Sequence, residues 1–170
     1  MPRIYIAVAV ALAALVTGCA HPQQKATPLA KVSGVKVLLP TPEAPKITGV
    51  DCAKESGSVD TLPQRLREAA SGALASAGFL IVDDAAAPHD LEAKIDSEVS
   101  YCNAAAHIAQ GTAGISLFKG GAVVHRSADS GELTSSPGLT ELFSDVVSAL
   151  LRDPAVIASL GARENVTATP

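Results

Sequence analysis

The sequence predicts an α+β fold, a two-layer sandwich in which a mixed sheet of four to five strands carries two main helices on one face. Three features predict this arrangement. Two segments repeat apolar residues at helical spacing, a third alternates apolar and polar residues with a period of two, and short apolar runs flank the first helical segment. One layer of helices then covers one face of the sheet and leaves the other face for water or a partner.

The first helix is predicted over residues 61–79. Thr61 and Gln64 have the spacing of a capping box, and Pro63 suits the first turn of a helix. Gly78 is placed to end the helix. The side of this helix that is expected to pack on the sheet consists of Leu62, Leu66, Ala69, Ala70, Ala73, Leu74 and Ala77.

Short strands are predicted on both sides of this helix. Residues 35–40 (VKVLLP) and 46–52 (KITGVDC) precede it, and residues 79–84 (FLIVDD) follow it directly. A strand, a helix and a strand in this order are typical of a βαβ unit with a right-handed crossover. Prolines around the first two strands favour edge positions for them.

The clearest strand signal lies in residues 90–102, where apolar and polar residues alternate. Cys102 falls at the strand end on the polar side, where a cysteine in a loop, such as Cys52, is expected to reach it. The apolar side consists of Leu91, Ala93, Ile95, Val99 and Tyr101, and the polar side consists of Glu92, Lys94, Asp96, Glu98 and Ser100.

A hairpin and two helices are predicted for the remainder of the domain. Lys119–Gly121 form the turn of the hairpin, because glycine permits positive φ. Ser136 and Pro137 open the second main helix, and Asp153 and Pro154 start a short helix that Gly161 ends. The apolar side of the second main helix consists of Leu139, Leu142, Phe143, Val146, Val147 and Leu150.

The N-terminus has the charge, length and small-residue exit of a secretory signal. Arg3 precedes a mostly apolar run from Ile4 to Val16, and no other charged residue comes before Cys19. A helix needs about 17–25 residues to span a bilayer, so this run is too short for that role. The alternative is an ordinary cleaved signal with an incidental cysteine.

Val16-Thr17-Gly18-Cys19 resembles the lipobox of bacterial lipoproteins. The resemblance implies that residues 1–18 are removed and that Cys19 then carries a diacylglyceryl thioether and an amide-linked acyl group such as palmitate. More than one acyl chain makes membrane attachment stable without a transmembrane helix. Ala20 follows the cysteine where an aspartate favours the inner membrane in these families, so the resemblance implies the outer membrane, with the domain facing the periplasm.

Four segments are predicted: a signal peptide (1–18), a lipidated cysteine with a proline-rich tether (19–46), one periplasmic domain (47–161) and a polar tail (162–170). Removal of the signal takes away Arg3 and no acidic residue, so the net charge of −4 becomes −5. This charge argues against a nucleic-acid partner, which requires clustered positive charge. The chain has no tryptophan, two tyrosines and three phenylalanines, so little material is present for stacking on sugars or bases.

Two cysteines, Cys52 and Cys102, remain after processing. Outside the cytosol an even pair most simply forms a disulfide. The alternatives are two free thiols or a metal site, but no recognisable ligand motif surrounds either cysteine.

Motifs that would identify an enzyme are absent from the sequence. It has no GxSxG, HExxH, P-loop or GxGxxG pattern. His21 lies in the tether and His89 in a loop, whereas His107 and His125 are placed to face each other across the hairpin. Two pairs of carboxylates, Asp83 with Asp84 and Asp96 with Glu98, are interpreted as solvated charges. We therefore predict no catalytic residue, no metal and no cofactor.

Three functions remain open from the sequence. The order of elements resembles small periplasmic lipoproteins that bind envelope components, such as lipopolysaccharide-assembly lipoproteins and activators of penicillin-binding proteins, which implies a non-enzymatic accessory with an envelope protein as its partner. The second is a periplasmic hydrolase that uses His107 or His125 with a carboxylate. The third is a purely structural surface lipoprotein.

Overall fold

A computed structural model describes residues 32–49, 52, 60–103 and 108–160. The predicted lipobox with Cys19, the polar tail, His21, His107 and Gly161 lie outside the described residues.

The α+β prediction is confirmed, with one mixed sheet and with helices on one of its faces. The described strands are β1 (Lys36–Leu38), β2 (Lys46–Ile47), β3 (Leu80–Val82), β4 (Leu91–Asn103), β5 (Ile108–Lys119) and β6 (Ala122–Glu132). Their order is β3-β1-β4-β5-β6, and β2 also pairs with β4. Pairing is parallel for β1 and β2 and antiparallel along β4-β5-β6. The described part of the sheet therefore has six strands rather than four or five, because β1 and β2 both take part.

The folded domain includes residues that the sequence assigns to the tether. β1 lies between β3 and β4 rather than at an edge, and Val37 and Leu39 are fully buried. The amide of Val32 donates to the carbonyl of Ala77 over 3.2 Å. Ordered packing thus begins by Val32, ahead of the predicted domain start at residue 47. The nearby prolines predicted an edge position for β1. Pro40, however, lies just beyond the strand, where it removes no ladder hydrogen bond, so β1 can lie inside the sheet.

The helices are α1 (Leu62–Ser76), α2 (Ser136–Arg152) and α3 (Pro154–Ser159) within the described residues. α1 and α2 pack against each other, α1 also contacts β3, and α2 lies over β5 and β6. α1 buries Leu62, Leu66, Ala70 and Leu74, as its pattern predicts.

The predicted capping box of α1 is wrong. The side chain of Thr61 makes no capping hydrogen bond, and Gln64 donates to Glu68 over 3.2 Å instead. Thr61 has helical backbone angles, whereas a capping side chain needs an extended residue. The other end is as predicted: Gly78 has φ of +98°, and a Cβ there would lie 1.9 Å from the carbonyl oxygen of Val32.

The predicted position of Cys102 on the polar side of β4 is wrong, because a β-bulge precedes it. The register between β4 and β5 shifts between Val99 and Tyr101, so that Cys102 lies opposite Ala109 and both are buried. Tyr101, predicted on the apolar side, is 52% exposed. Because side chains alternate along a strand, the extra residue of a bulge reverses every side chain beyond it.

The structure joins Cys52 and Cys102 by a disulfide, and both cysteines belong to the core cluster. The bridge ties the chain ahead of α1 to the end of β4. The hairpin turn is also as predicted, since Gly120 and Gly121 have φ of +56° and +82°.

Candidate functional site

The face of the sheet opposite the helices carries the candidate site, which we call the open face. Register places its side chains in rows that cross three strands. One row is Lys94, Ser116 and Arg126, and the next is Asp96, Gly114 and Ala128. The predicted polar side of β4 therefore lies beside residues of β5 and β6 on one continuous surface.

A chain of polar contacts crosses the open face. Nε of Arg126 donates to Oγ of Ser116 over 3.1 Å, and this hydroxyl donates to Oδ2 of Asp96 over 3.4 Å. Ser116 is only 1% exposed, so its hydroxyl fixes the positions of the two charged groups from beneath. A buried hydroxyl requires such partners, since leaving it unpaired is costly.

Glu98 is held at the edge of the same surface. Thr48 donates to its Oε1 over 2.9 Å, and Nζ of Lys46 lies 3.6 Å from its Oε2. On the other side, Nζ of Lys94 lies 3.8 Å from Glu92 and 5.1 Å from the ring centroid of Phe118. The open face thus presents acidic and basic groups side by side, with Asp96 and Glu98 forming an acidic strip on β4.

A shallow depression of about 470 Å³ lies in the middle of the open face. Gly114 lines it at a point where β6 leaves no room for a side chain, because a Cβ there would meet Ala128 Cβ at 2.7 Å and the carbonyl oxygen of Ser127 at 2.5 Å. Glu43 and Lys46 border it on the β2 side, and Asp96 and Arg126 border it on the sheet. It is an open surface bordered by charges rather than an enclosed cavity.

A second concavity, of about 560 Å³, lies between α1 and α2 on the opposite side of the domain. Most of the side chains that line it are small or aliphatic. Arg65 also lines it, and its guanidinium donates a hydrogen bond to the backbone carbonyl oxygen of Thr134. The lining includes Ala69, Gly72, Ala73, Ser76, Leu139, Thr140, Ser144 and Val147. We regard this groove as a consequence of small side chains between two helices and place the candidate site on the open face.

His125 is the histidine that the structure brings to a carboxylate. Its Nδ1 lies 2.7 Å from Oδ2 of Asp153, and Oδ1 of Asp153 accepts from the amide of Ala155 at the start of α3. The His125 side chain is 10% exposed, and its Nε2 is buried without a partner among the described residues. The contact between His125 and Asp153 therefore links β6 to the junction of α2 and α3, and Nε2 of His125 faces the interior of the domain.

Asp153→Ala is expected to lower the melting temperature at pH 7. The hydrogen bond from His125 and then that from Ala155 hold the pKa of Asp153 below its usual value, so these bonds favour the ionised form. A carboxylate whose pKa is lower in the folded than in the unfolded protein stabilises the fold at pH values above its unfolded-state pKa of about 3.9. This stabilisation is lost as the pH falls through the lower, folded-state pKa. In thermal melts the gap between wild type and variant should narrow between pH 5 and about pH 3. Asp145→Ala, at an exposed position of α2, is the control; an equal gap at every pH would contradict this role.

The other residues singled out from the sequence have local roles. Asp83 pairs with Arg67, and Asp84 accepts from the amide of Ala86 over 2.8 Å in a turn. His89 is exposed, with Nδ1 3.0 Å from the carbonyl oxygen of Ala87. The prediction that His107 faces His125 is wrong, because the register places Leu117 of β5 opposite His125. His107 itself lies outside the described residues.

The described residues contain no group of three or more His, Cys, Asp or Glu side chains arranged to hold a metal ion. In the same part of the chain, no helix has the length and apolar content needed to cross a membrane.

The sequence interpretation missed Ser116, Arg126 and Gly114 as parts of the candidate site. Ser116 and Gly114 alternate with apolar residues on β5, a pattern that signals a strand but no particular role. Arg126 follows His125 on the adjacent strand. Only the register of three strands shows that they surround Asp96.

Comparisons with known proteins found similar solved structures but no matching family model or curated protein. A PelC dodecamer from Paraburkholderia phytofirmans is 18% identical with a TM-score of 0.47, covering 72% of this chain and 93% of that one. XCC0632 from Xanthomonas campestris, a DUF330 protein, is 15% identical with a TM-score of 0.43, covering 72% and 87%. Lipoprotein GNA1162 from Neisseria meningitidis is 16% identical with a TM-score of 0.37, covering 68% and 94%. With TM-scores below 0.5, these likenesses support no conclusion about the role of this chain.

Proposed function

We propose that this protein is a lipid-anchored lipoprotein of the bacterial outer membrane that acts as a non-enzymatic binding or assembly accessory for another envelope protein. The observation that carries the proposal is the combination of a lipobox at residues 16–19 with a domain whose open face presents ordered charges to its surroundings.

The anchor gives the domain its location. Each buried methylene contributes about 0.8 kcal/mol, and two or more acyl chains make the attachment stable. Twelve residues separate Cys19 from Val32, the first described residue. A tether of this length keeps the domain close to the membrane and raises its effective concentration for other envelope proteins.

The open face supplies the contact surface. Its charged groups are positioned before binding by Ser116 and Thr48, so that less conformational entropy is lost on association. Charges of both signs on one surface favour specificity, because a wrong partner brings like charges together.

Replacement of Asp96 and Glu98 by lysine tests the contact surface. We expect the double variant to lose its partner in a cross-linking pull-down from intact cells, because the charge on one strip of the open face is reversed. Glu141→Lys with Asp145→Lys makes the same change of charge on exposed positions of α2 and should capture the partner normally. Capture of the same proteins by both variants would refute the open face as the contact surface.

Cys19→Ser tests the anchor. Serine has no thiol to form the thioether, so we expect the variant to be absent from the membrane pellet and to be found in the soluble fraction or as an unprocessed precursor. Ala20→Ser, one residue further on, is the matched control and should fractionate as wild type. Normal membrane fractionation of Cys19→Ser would contradict lipid anchoring.

A periplasmic hydrolase is the second candidate, and the short distance between His125 and Asp153 favours it. A general base must reach the proton that it removes, whereas Nε2 of His125 is buried. We therefore assign the pair to stability. Loss of cellular function in a His107→Ala, His125→Gln variant that keeps its fold would favour the hydrolase instead.

A further inference from the structure

The two edges of the sheet differ in a way that points to a partner for one of them. The β3 edge is only three residues long and is followed at once by Asp83 and Asp84. The β6 edge has eleven residues and contains neither lysine nor proline. A short edge strand, lysine and proline are common means of preventing edge pairing, and β6 uses none of these; its charged residues are Arg126, Asp129 and Glu132.

The outward backbone groups of β6 are available for pairing. β6 pairs with β5 alone, and in an antiparallel ladder every second residue directs its amide and carbonyl away from the paired neighbour. Among the described residues the one further bond to a β6 backbone group is local, from the amide of Ser130 to Oδ1 of Asp129. Val123, at the start of this edge, is 54% exposed.

We propose that two copies of this chain pair through β6 in an antiparallel arrangement whose two-fold axis passes at Ser127. Such an axis is perpendicular to the sheet, so the helices of both copies lie on the same side and the two open faces join into one. The proposal concerns the domain and does not depend on the lipid anchor or on the envelope partner.

The sequence of β6 selects this register. Ser127 is the middle residue of Ala122–Glu132, so an axis there pairs all eleven residues. Residues that face each other in this register are Arg126 with Ala128 of the second copy, His125 with Asp129, and Val123 with Gly131. No like charges lie opposite each other. An axis at Arg126 would oppose two arginines and an axis at Asp129 two aspartates, and like charges directly opposite are destabilising.

A single cysteine tests the arrangement in the full chain in intact cells. Directly opposite residues of an antiparallel pair have Cβ atoms about 4.5–5.5 Å apart, close to the span of a disulfide. Ser127→Cys is therefore expected to yield a disulfide-linked dimer of twice the mass on non-reducing gels. Ala75→Cys, exposed on α1, controls for random collisions at the membrane. Equal dimer yields from the two variants would overturn the proposal, and so would a cross-link of Ser127→Cys to a protein of different mass.

Charge changes at residue 128 give a second, independent test. Ala128→Lys places a lysine opposite Arg126 of the second copy, whereas Ala128→Glu places a glutamate there. In sedimentation of the full chain extracted in detergent, we expect the lysine variant to be at least tenfold more dissociated than wild type and the glutamate variant to remain dimeric. A monomeric wild type would refute pairing. Dissociation of both variants would refute this register. It would instead indicate an axis at residue 128, where the new lysine or glutamate would lie opposite the same residue of the second copy.

Discussion

Cys52→Ala is expected to lower the melting temperature of this protein by roughly 10–25 °C under oxidising conditions. The disulfide joins residues 50 positions apart, and in the chain-entropy model a closed loop of this length contributes about 4 kcal/mol to the free energy of unfolding. The loss is expected to be large because the bridge connects the chain ahead of α1 to the end of β4, next to the bulge.

The reducing agent dithiothreitol provides the control for this prediction. It should lower the melting temperature of the wild type by a similar amount and leave that of Cys52→Ala unchanged, because the variant has no bridge to lose. Cys52→Ala with Cys102→Ala separates the loss of the bridge from the effect of one buried thiol. A wild type whose melting temperature is the same with and without reductant would show that no bridge forms.

Phe143→Ala is expected to lower the free energy of unfolding by about 3–5 kcal/mol. Phe143 is fully buried on the face of α2 that packs on β5 and β6, and it is the largest fully buried side chain in the described residues. The domain has three phenylalanines and no tryptophan, so its core has few large side chains that can move into the cavity.

Urea denaturation measures this change. Phe143→Leu retains much of the volume and should cost clearly less than the alanine variant. Asp145→Ala, exposed two positions further along α2, should change stability by no more than about 0.5 kcal/mol. A loss for Phe143→Ala as small as that for Asp145→Ala would show that α2 does not pack on the sheet as described.

Periodicity predicts the elements of this fold well, because burial imposes it. The apolar positions of α2 and the turn at Gly120 and Gly121 are where the sequence places them. The bulge between Val99 and Tyr101 was not predictable, since the pattern of alternation continues through it. Gly111, opposite Val99, is a local sign of close approach: a Cβ there would lie 1.9 Å from the carbonyl oxygen of Glu98.

The candidate site was half predictable for a related reason. Alternation along β4 identifies one polar strip, because a single strand decides which of its residues share a face. The depression at Gly114 and the contact from Arg126 to Ser116 depend on the register between strands. The pairing of His125 with Asp153 depends on the position of α3 beside β6, which no local pattern encodes.

Mass spectrometry of the N-terminal peptide of the mature protein tests the central claim most directly. If the lipobox is functional, the peptide begins at Cys19 and carries the mass of a diacylglyceryl group and an amide-linked acyl chain. An unmodified peptide, or one that begins at another residue, would contradict membrane anchoring and remove the basis for the proposed role in the envelope.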